Sequence, residues 1–184
     1  MMKKVNLSSF SNADFIPGSK GKIIVWYLIN RVFFNSYLLY PSFLKSFLLR
    51  LFGAKVGGNV LIKPKVNIKY PWFLEIGDNV WIGEKVWIDN LTLVKIGNNC
   101  CLSQGAMLLT GNHNYKKTSF DLITGTIILE DGAWVGAQST VCPDVICKSH
   151  SILSVGSIAT SDLEPYTIYQ GNPAKPVRNR IITS

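Results

Sequence analysis

From Val56 onward the chain places an aliphatic residue at nearly every sixth position. The series 56, 62, 68; 76, 82, 88; 96, 102, 108; 129, 135, 141; and 147, 153, 159 reads Val, Ile, Ile; Ile, Ile, Ile; Ile, Leu, Leu; Leu, Val, Val; and Cys, Leu, Ala. Thirteen of the fifteen are Val, Ile or Leu, whereas their overall frequency, 52 in 184, predicts about four, so the period is a structural signal. Four residues after the aliphatic position comes a second inward series of mostly small or β-branched residues, among them Val60, Val66, Val80, Val86, Cys100, Ala106, Ala133, Ser139, Val145, Ser151 and Ser157. Gly often follows the aliphatic residue, as in VGGN, IGDN, IGEK, IGNN and VGAQ, where a tight bend is expected. A six-residue repeat with a turn each time predicts a solenoid whose coil has three flat faces, each one short strand.

The breaks in the period are as informative as the period. Steps of eight run from 68 to 76 and from 88 to 96, and a step of twenty-one runs from 108 to 129. All three follow a third hexapeptide, so they emerge from one corner of a triangular prism, stacked coil above coil at the ordinary strand spacing of about 4.8 Å. The largest break, LLTGNHNYKKTSFDLITG (108–125), contains His113, one of two histidines. Asn90, two residues past Ile88, lies on the coil beside the base of that loop.

The first twenty residues are polar and read as an extended arm with no fold of their own. Residues 21–53, GKIIVWYLINRVFFNSYLLYPSFLKSFLLRLFG, carry bulky apolar residues at near-helical spacing, and Pro41 divides them into two candidate helices. The longest charge-free run, 32–44, is too short for a membrane span and contains that proline. Two uses remain: packing against the main domain, or resting an apolar and basic surface on a membrane. The domain reading is therefore an arm and helical extension over 1–54, the solenoid over 55–164 with a protruding loop at 109–128, and a C-terminal cap and tail over 165–184.

The chain is 47% hydrophobic and 16% charged, apolar enough to imply that some surface meets a partner. Its net charge of +8 favours an anionic partner: nucleic acid, a membrane or a phosphorylated small molecule. No helix-turn-helix, zinc-finger spacing or RNP-like aromatic motif is present, which argues against nucleic acid. Cys100, Cys101, Cys142 and Cys147 form no C-x-x-C pair, read as packed apolar residues, and suit a reducing cytoplasm.

The stretches LLRLFGAKVG, NIKYPWFLEIGDNVWIGEKVWIDNL, GNHNY, EDGAWVGAQSTVCPDV and YQGNPAKPVRNR resemble the hexapeptide-repeat acyltransferases, most closely the colanic-acid-biosynthesis type and more distantly the maltose and galactoside O-acetyltransferases. The resemblance spans nearly the whole chain. It implies an all-β solenoid, a left-handed parallel β-helix of about five triangular coils. The hand comes from the resemblance alone, because parallel crossovers are mostly right-handed. It further implies a homotrimer, acetyl-CoA as co-substrate, no metal, and a sugar acceptor, with His113 as the catalytic histidine. Relatives often carry Asp after that histidine, whereas this chain carries Asn114.

Transfer of an acetyl group from a thioester to a hydroxyl needs a base for the hydroxyl proton, and imidazole, with an unperturbed pKa near 6.5, suits that work. His113 is placed as this base, returning the proton to the leaving thiolate, with a backbone N–H near Gly136 and Ala137 as oxyanion donor. His150, outside any insertion, reads as a turn or surface residue. Acceptor contacts are expected from Asn90, whose competing role is turn capping, from Asp89 and from Asn114. For acetyl-CoA, Trp134, Gly136, Ala137 and Gly156 are expected along a groove, with Thr160 near it. Lys175, Arg178 and Arg180 are expected on its phosphates, although a basic tail is also an ordinary solvated end, and Ser161 stands where relatives often have Lys. Two other classes compete: a zinc hydratase of the carbonic anhydrase type, which needs three histidines, and a non-catalytic scaffold anchored to a membrane by residues 21–53.

Overall fold

The structure, a computed structural model, describes residues 3–12 and 15–183. Residues 55–171 wind into a left-handed parallel β-helix, three short strands to a coil. The first face stacks Lys55–Val56, Leu74–Ile76, Val94–Ile96, Ile127–Leu129 and Ile146–Cys147. The second stacks Leu61–Ile62, Trp81–Ile82, Cys101–Leu102, Trp134–Val135, Ile152–Leu153 and Thr167–Gly171. The third stacks Asn67–Ile68, Trp87–Asp89, Met107–Leu109, Thr140–Val141 and Ile158–Ala159. Five coils are complete, and Leu163 with Thr167–Gly171 begins a sixth. The six-residue period survives as vertical register: Ile62, Ile82, Leu102, Val135 and Leu153 sit directly above one another and are essentially inaccessible to solvent.

All three insertions leave the corner between the third and first faces. They are the segment carrying the turn Pro71–Phe73, residues 90–93, and the long loop, whose hairpin pairs Gly111–His113 with Leu122–Thr124.

The bends are made differently from the sequence reading. At uninterrupted corners the residue three past the inward aliphatic is left-handed: Asn59, Lys65, Asn79, Lys85, Asn99, Gln138, Asp144 and His150 all have φ near +55 to +60, as do glycines 105, 132 and 156 at somewhat larger angles. The glycine directly after the aliphatic residue serves another purpose. A Cβ on Gly136 would lie 2.6 Å from the Leu153 carbonyl oxygen and 2.7 Å from the Val155 nitrogen, both backbone atoms of the next coil. At Gly136 the next coil therefore lies too close for a side chain.

The helical extension is a plug for the open end of the solenoid. Helix α1 (Lys20–Ile29) continues into a π-helical turn, Asn30–Phe34, and Pro41 caps helix α2 (Ser42–Leu51). The first coil has no preceding coil to satisfy its edge groups, and side chains of this segment supply partners on all three faces. Arg50 donates to the Val56 and Gly57 carbonyls on the first. On the second, Ser42 accepts from the Ile62 N–H while the buried Lys45 ammonium donates to the carbonyls of Ile62 and Lys63. On the third, Asn30 accepts from the Ile68 N–H and the Trp26 indole donates to the Ile68 carbonyl. Burial pushes the Lys45 ammonium below its ordinary pKa, and two carbonyls offset that loss of water.

At the other end, Thr167–Gly171 runs parallel to Ile152–Leu153 and antiparallel to Ala174–Asn179, so the C-terminal segment extends the second face. Cys100 and Cys147 are core residues whose thiols burial raises, Cys100 to about 11. All four cysteines are free.

Two stability experiments test this account. Trp26 is 2% exposed, packs on Phe34 and Phe52, and satisfies Ile68; Trp26→Ala should lower unfolding free energy by about 3–5 kcal/mol in denaturant melts, and a loss under about 1 kcal/mol would refute the plug. Gly136→Ala should cost about 2–3 kcal/mol through overpacking. Gly156→Ala, whose Cβ meets open space at φ +66, should cost about 1 kcal/mol of left-handed strain. The reverse order would contradict the stacking role.

Candidate active site

The long loop is stiffer than its polar composition suggests. Its base is locked by Thr110, which is fully buried, donates to the Asp89 carbonyl and accepts from the Leu91 N–H. Its tip is held by the Asn114 N–H on the Asp121 carbonyl and by an ion pair between Lys117 and Asp121 at 2.9 Å. A hydrogen bond from Ser119, then Lys117, holds the Asp121 carboxyl below the usual range.

His113 ends the first hairpin strand opposite Leu122. Its Nδ1 lies 2.8 Å from the carbonyl oxygen of Phe120. A carbonyl can only accept, so Nδ1 carries the proton and the neutral ring keeps its lone pair on Nε2. Phe120 is itself left-handed, with φ +53, an uncommon conformation for an aromatic residue that turns its carbonyl toward the imidazole. The two rings stack at 4.5 Å and 6°. On another side stands Phe10 of the N-terminal arm, at 5.7 Å. Neither phenylalanine was singled out from the sequence, where each is one aromatic in a polar stretch.

The residues expected to bind acceptor are placed as follows. Asn90 is fully buried; its amide donates to the Tyr70 carbonyl and accepts from the Tyr70 N–H one coil below. That corner-locking is the turn-capping role that competes with acceptor contact in the sequence. Asp89 pairs with Lys69 at 2.9 Å. It borders a cavity of about 270 Å³ between α1 and the third face, lined also by Tyr27, Arg31, Tyr70 and Trp87. Asn114 accepts from the Lys116 N–H and borders a separate cavity beside the hairpin.

The residues expected to bind acetyl-CoA spread over several corners. Trp134, 43% exposed with its indole N–H on Ser103, forms with Trp81 and Arg180 a cleft of about 420 Å³ on the second face. Arg180 spends part of its guanidinium on the carbonyls of Gly132 and His150. Ala137 and Gly156 are neighbours at the next corner, where the Gly156 N–H donates to the Ala137 carbonyl. The Gly136 N–H is taken by Leu153, which leaves Ala137 as the donor at that bend. Gly136 is glycine for coil stacking, since a Cβ there would lie 2.6 Å from the Leu153 carbonyl oxygen. Thr160 is exposed at the end of the third face, and Lys175 and Arg178 are exposed on the C-terminal hairpin. His150 is a left-handed turn residue stacked on Tyr166 at 4.7 Å. Among the described residues no group of three or more His, Cys, Asp or Glu is placed to hold a metal ion.

No family model matches the chain. It is 33% identical over 181 residues, 97% of its length and 98% of the relative's, to a protein of Escherichia coli (strain K12) named as a colanic acid biosynthesis acetyltransferase, WcaF. Its fold matches a maltose O-acetyltransferase from Clostridium difficile 630 at a TM-score of 0.76 and 20% identity, covering 88% of each chain. It also matches a hexapeptide-repeat acetyltransferase of Vibrio cholerae O1 biovar eltor in complex with acetyl-CoA, at 0.72 and 20% identity over 79% of this chain and 81% of that one. The hexapeptide period, the β-helix it builds and the near full-length similarity to WcaF lead to one conclusion: the chain belongs to the hexapeptide-repeat acetyltransferase family.

Proposed function

We propose that this protein transfers the acetyl group of acetyl-CoA to a hydroxyl of a sugar destined for a surface polysaccharide, with His113 as general base. The observation that carries the reading is the hydrogen bond from His113 Nδ1–H to the Phe120 carbonyl, which leaves Nε2 as the acceptor on a ring fixed by stacking. In the reaction Nε2 takes the hydroxyl proton while the oxygen attacks the thioester carbonyl. The tetrahedral intermediate then expels the CoA thiolate, which takes the proton from the imidazolium. The Ala137 N–H is the donor proposed for the oxyanion, and Trp134, Gly156, Thr160, Lys175, Arg178 and Arg180 contribute to the acetyl-CoA side. The names of the relatives, colanic acid biosynthesis and maltose O-acetyltransferase, support a carbohydrate acceptor.

The working unit proposed is a homotrimer. His113 and Ala137 belong to different corners of one prism, so a site that joins them draws on a neighbouring copy. The outward residues of the second face, Leu61, Trp81, Cys101, Trp134, Ile152 and Ile168, form an apolar stripe that such a neighbour would cover.

A lipid surface is the second proposed partner, at the cytoplasmic side of a membrane. Residues 15–74 contain Lys20, Lys22, Arg31, Lys45, Arg50, Lys55, Lys63, Lys65 and Lys69 and no acidic residue. While the helical plug turns its inner side to the first coil, its outer side leaves Ile24, Leu28, Leu39, Phe43, Phe47 and Leu51 exposed. No described helix is long and apolar enough to cross a membrane, so this contact is with a surface.

His113→Ala should reduce CoA release with sugar acceptors by about 10²–10⁴-fold while assembly size and melting temperature stay constant; full transfer by that variant excludes the base role. A screen of nucleotide sugars and oligosaccharides for CoA release identifies the acceptor. Because residues 20–54 plug the first coil, membrane contact is better tested by point substitution than by deletion. The full chain should co-sediment with phosphatidylglycerol vesicles, less with phosphatidylcholine, and Phe43→Glu with Phe47→Glu should reduce binding about ten-fold or more. Equal binding of the variant removes the membrane reading.

A further inference from the structure

The N-terminal arm does not trail from the fold; it crosses the catalytic loop of its own chain. Asn6 donates its backbone N–H to the Thr118 carbonyl at 2.8 Å. The same Asn6 caps the turn Leu7–Ser9 by accepting from the Ser8 N–H and hydroxyl, and that turn delivers Phe10 to the His113 ring. Beyond Phe10 the arm and the hairpin enclose a cavity of about 460 Å³ lined by Asn12, Phe15, Asn114, Lys117, Asp121 and Thr124, among others. Its two opposite charges, Lys117 and Asp121, are paired with each other. What faces a ligand is therefore carboxamide and hydroxyl groups together with the apolar side chains of Phe15, Leu122 and Ile123, a surface matched to a neutral polyhydroxylated ring with apolar C–H faces.

From this geometry we propose that the arm is the acceptor-side wall of the His113 site, built in cis, and that the cavity behind it takes an uncharged sugar unit. The inference rests on His113 being the base. Phe10 is a positioning residue in this scheme: with Phe120 it confines the imidazole, and with the rest of the arm it restricts the approach of water to Nε2. An open site would let the same base activate water, giving acetate and free CoA from acetyl-CoA in place of the sugar ester.

That side reaction supplies a test needing no knowledge of the natural acceptor. CoA release from acetyl-CoA in buffer is measured for the full chain, for a chain lacking residues 1–12, and for Phe10→Ala, each with His113 intact and with His113→Ala. The deletion leaves α1 and α2 in place, and melting temperature and assembly size report that the fold is intact. Removing the arm should raise hydrolysis about ten-fold, Phe10→Ala should raise it by a smaller factor, and both increases should vanish in the His113→Ala background. Hydrogen exchange adds a readout independent of turnover: amides of residues 114–124 should lose protection in the deletion. Unchanged hydrolysis, an increase that survives His113→Ala, or unchanged exchange in 114–124 overturns the proposal. Sugar transfer that His113→Ala abolishes and the arm deletion leaves untouched defeats only the arm inference, whereas transfer that survives His113→Ala defeats the base assignment itself.

Discussion

Everything in this molecule depends on one close approach, that of each coil to the next through parallel backbone hydrogen bonds. The spacing excludes a side chain where Gly83 and Gly136 meet the following coil and aligns inward aliphatic residues in vertical rows. It also makes the first coil a liability, since one rim of N–H and C=O groups has no coil beneath it. Buried without partners, such groups cost about 1–3 kcal/mol each. The plug formed by residues 20–54 answers that constraint with Trp26, Asn30, Ser42, Lys45 and Arg50, at least one on every face.

The plug then determines what else the N-terminal third can do. With its polar and aromatic side chains turned inward, the bulky residues of α1 and α2 that do not pack are left facing outward. The two uses weighed from the sequence, packing and the proposed membrane contact, are thus compatible, because packing leaves the opposite side of the same helices exposed. The same corner logic governs the loop. Thr110 and Asn90 hold the insertion corner rigid from below, so the hairpin projects His113 from a fixed base, and the Phe120 carbonyl sets the tautomer of the ring. A backbone carbonyl, made available by a left-handed Phe120, orients the imidazole.

The solenoid, its three-strand coils, the single corner of insertion and the placement of His113 in the long loop are all legible from spacing alone. Each is a repeated local environment, and a core that recurs every six residues writes itself into composition every six residues. The reading of the glycines shows where that logic stops. Periodicity reveals that position i+1 is small, but both a bend and a close backbone contact demand smallness, and only coordinates distinguish them. Asn90 illustrates the same limit: its place at the corner is legible, its burial is not, because the partner groups belong to Tyr70 on another coil.

By itself, then, the sequence determined the β-helix, its corners and the histidine that interrupts them, since these follow from which residues recur and where recurrence fails. Tertiary structure alone decided that the helices plug an open rim, that Phe120 orients His113, and that Phe10 reaches the same ring from the N-terminal arm. Each of those contacts occurs once, and a contact that occurs once leaves no period to read.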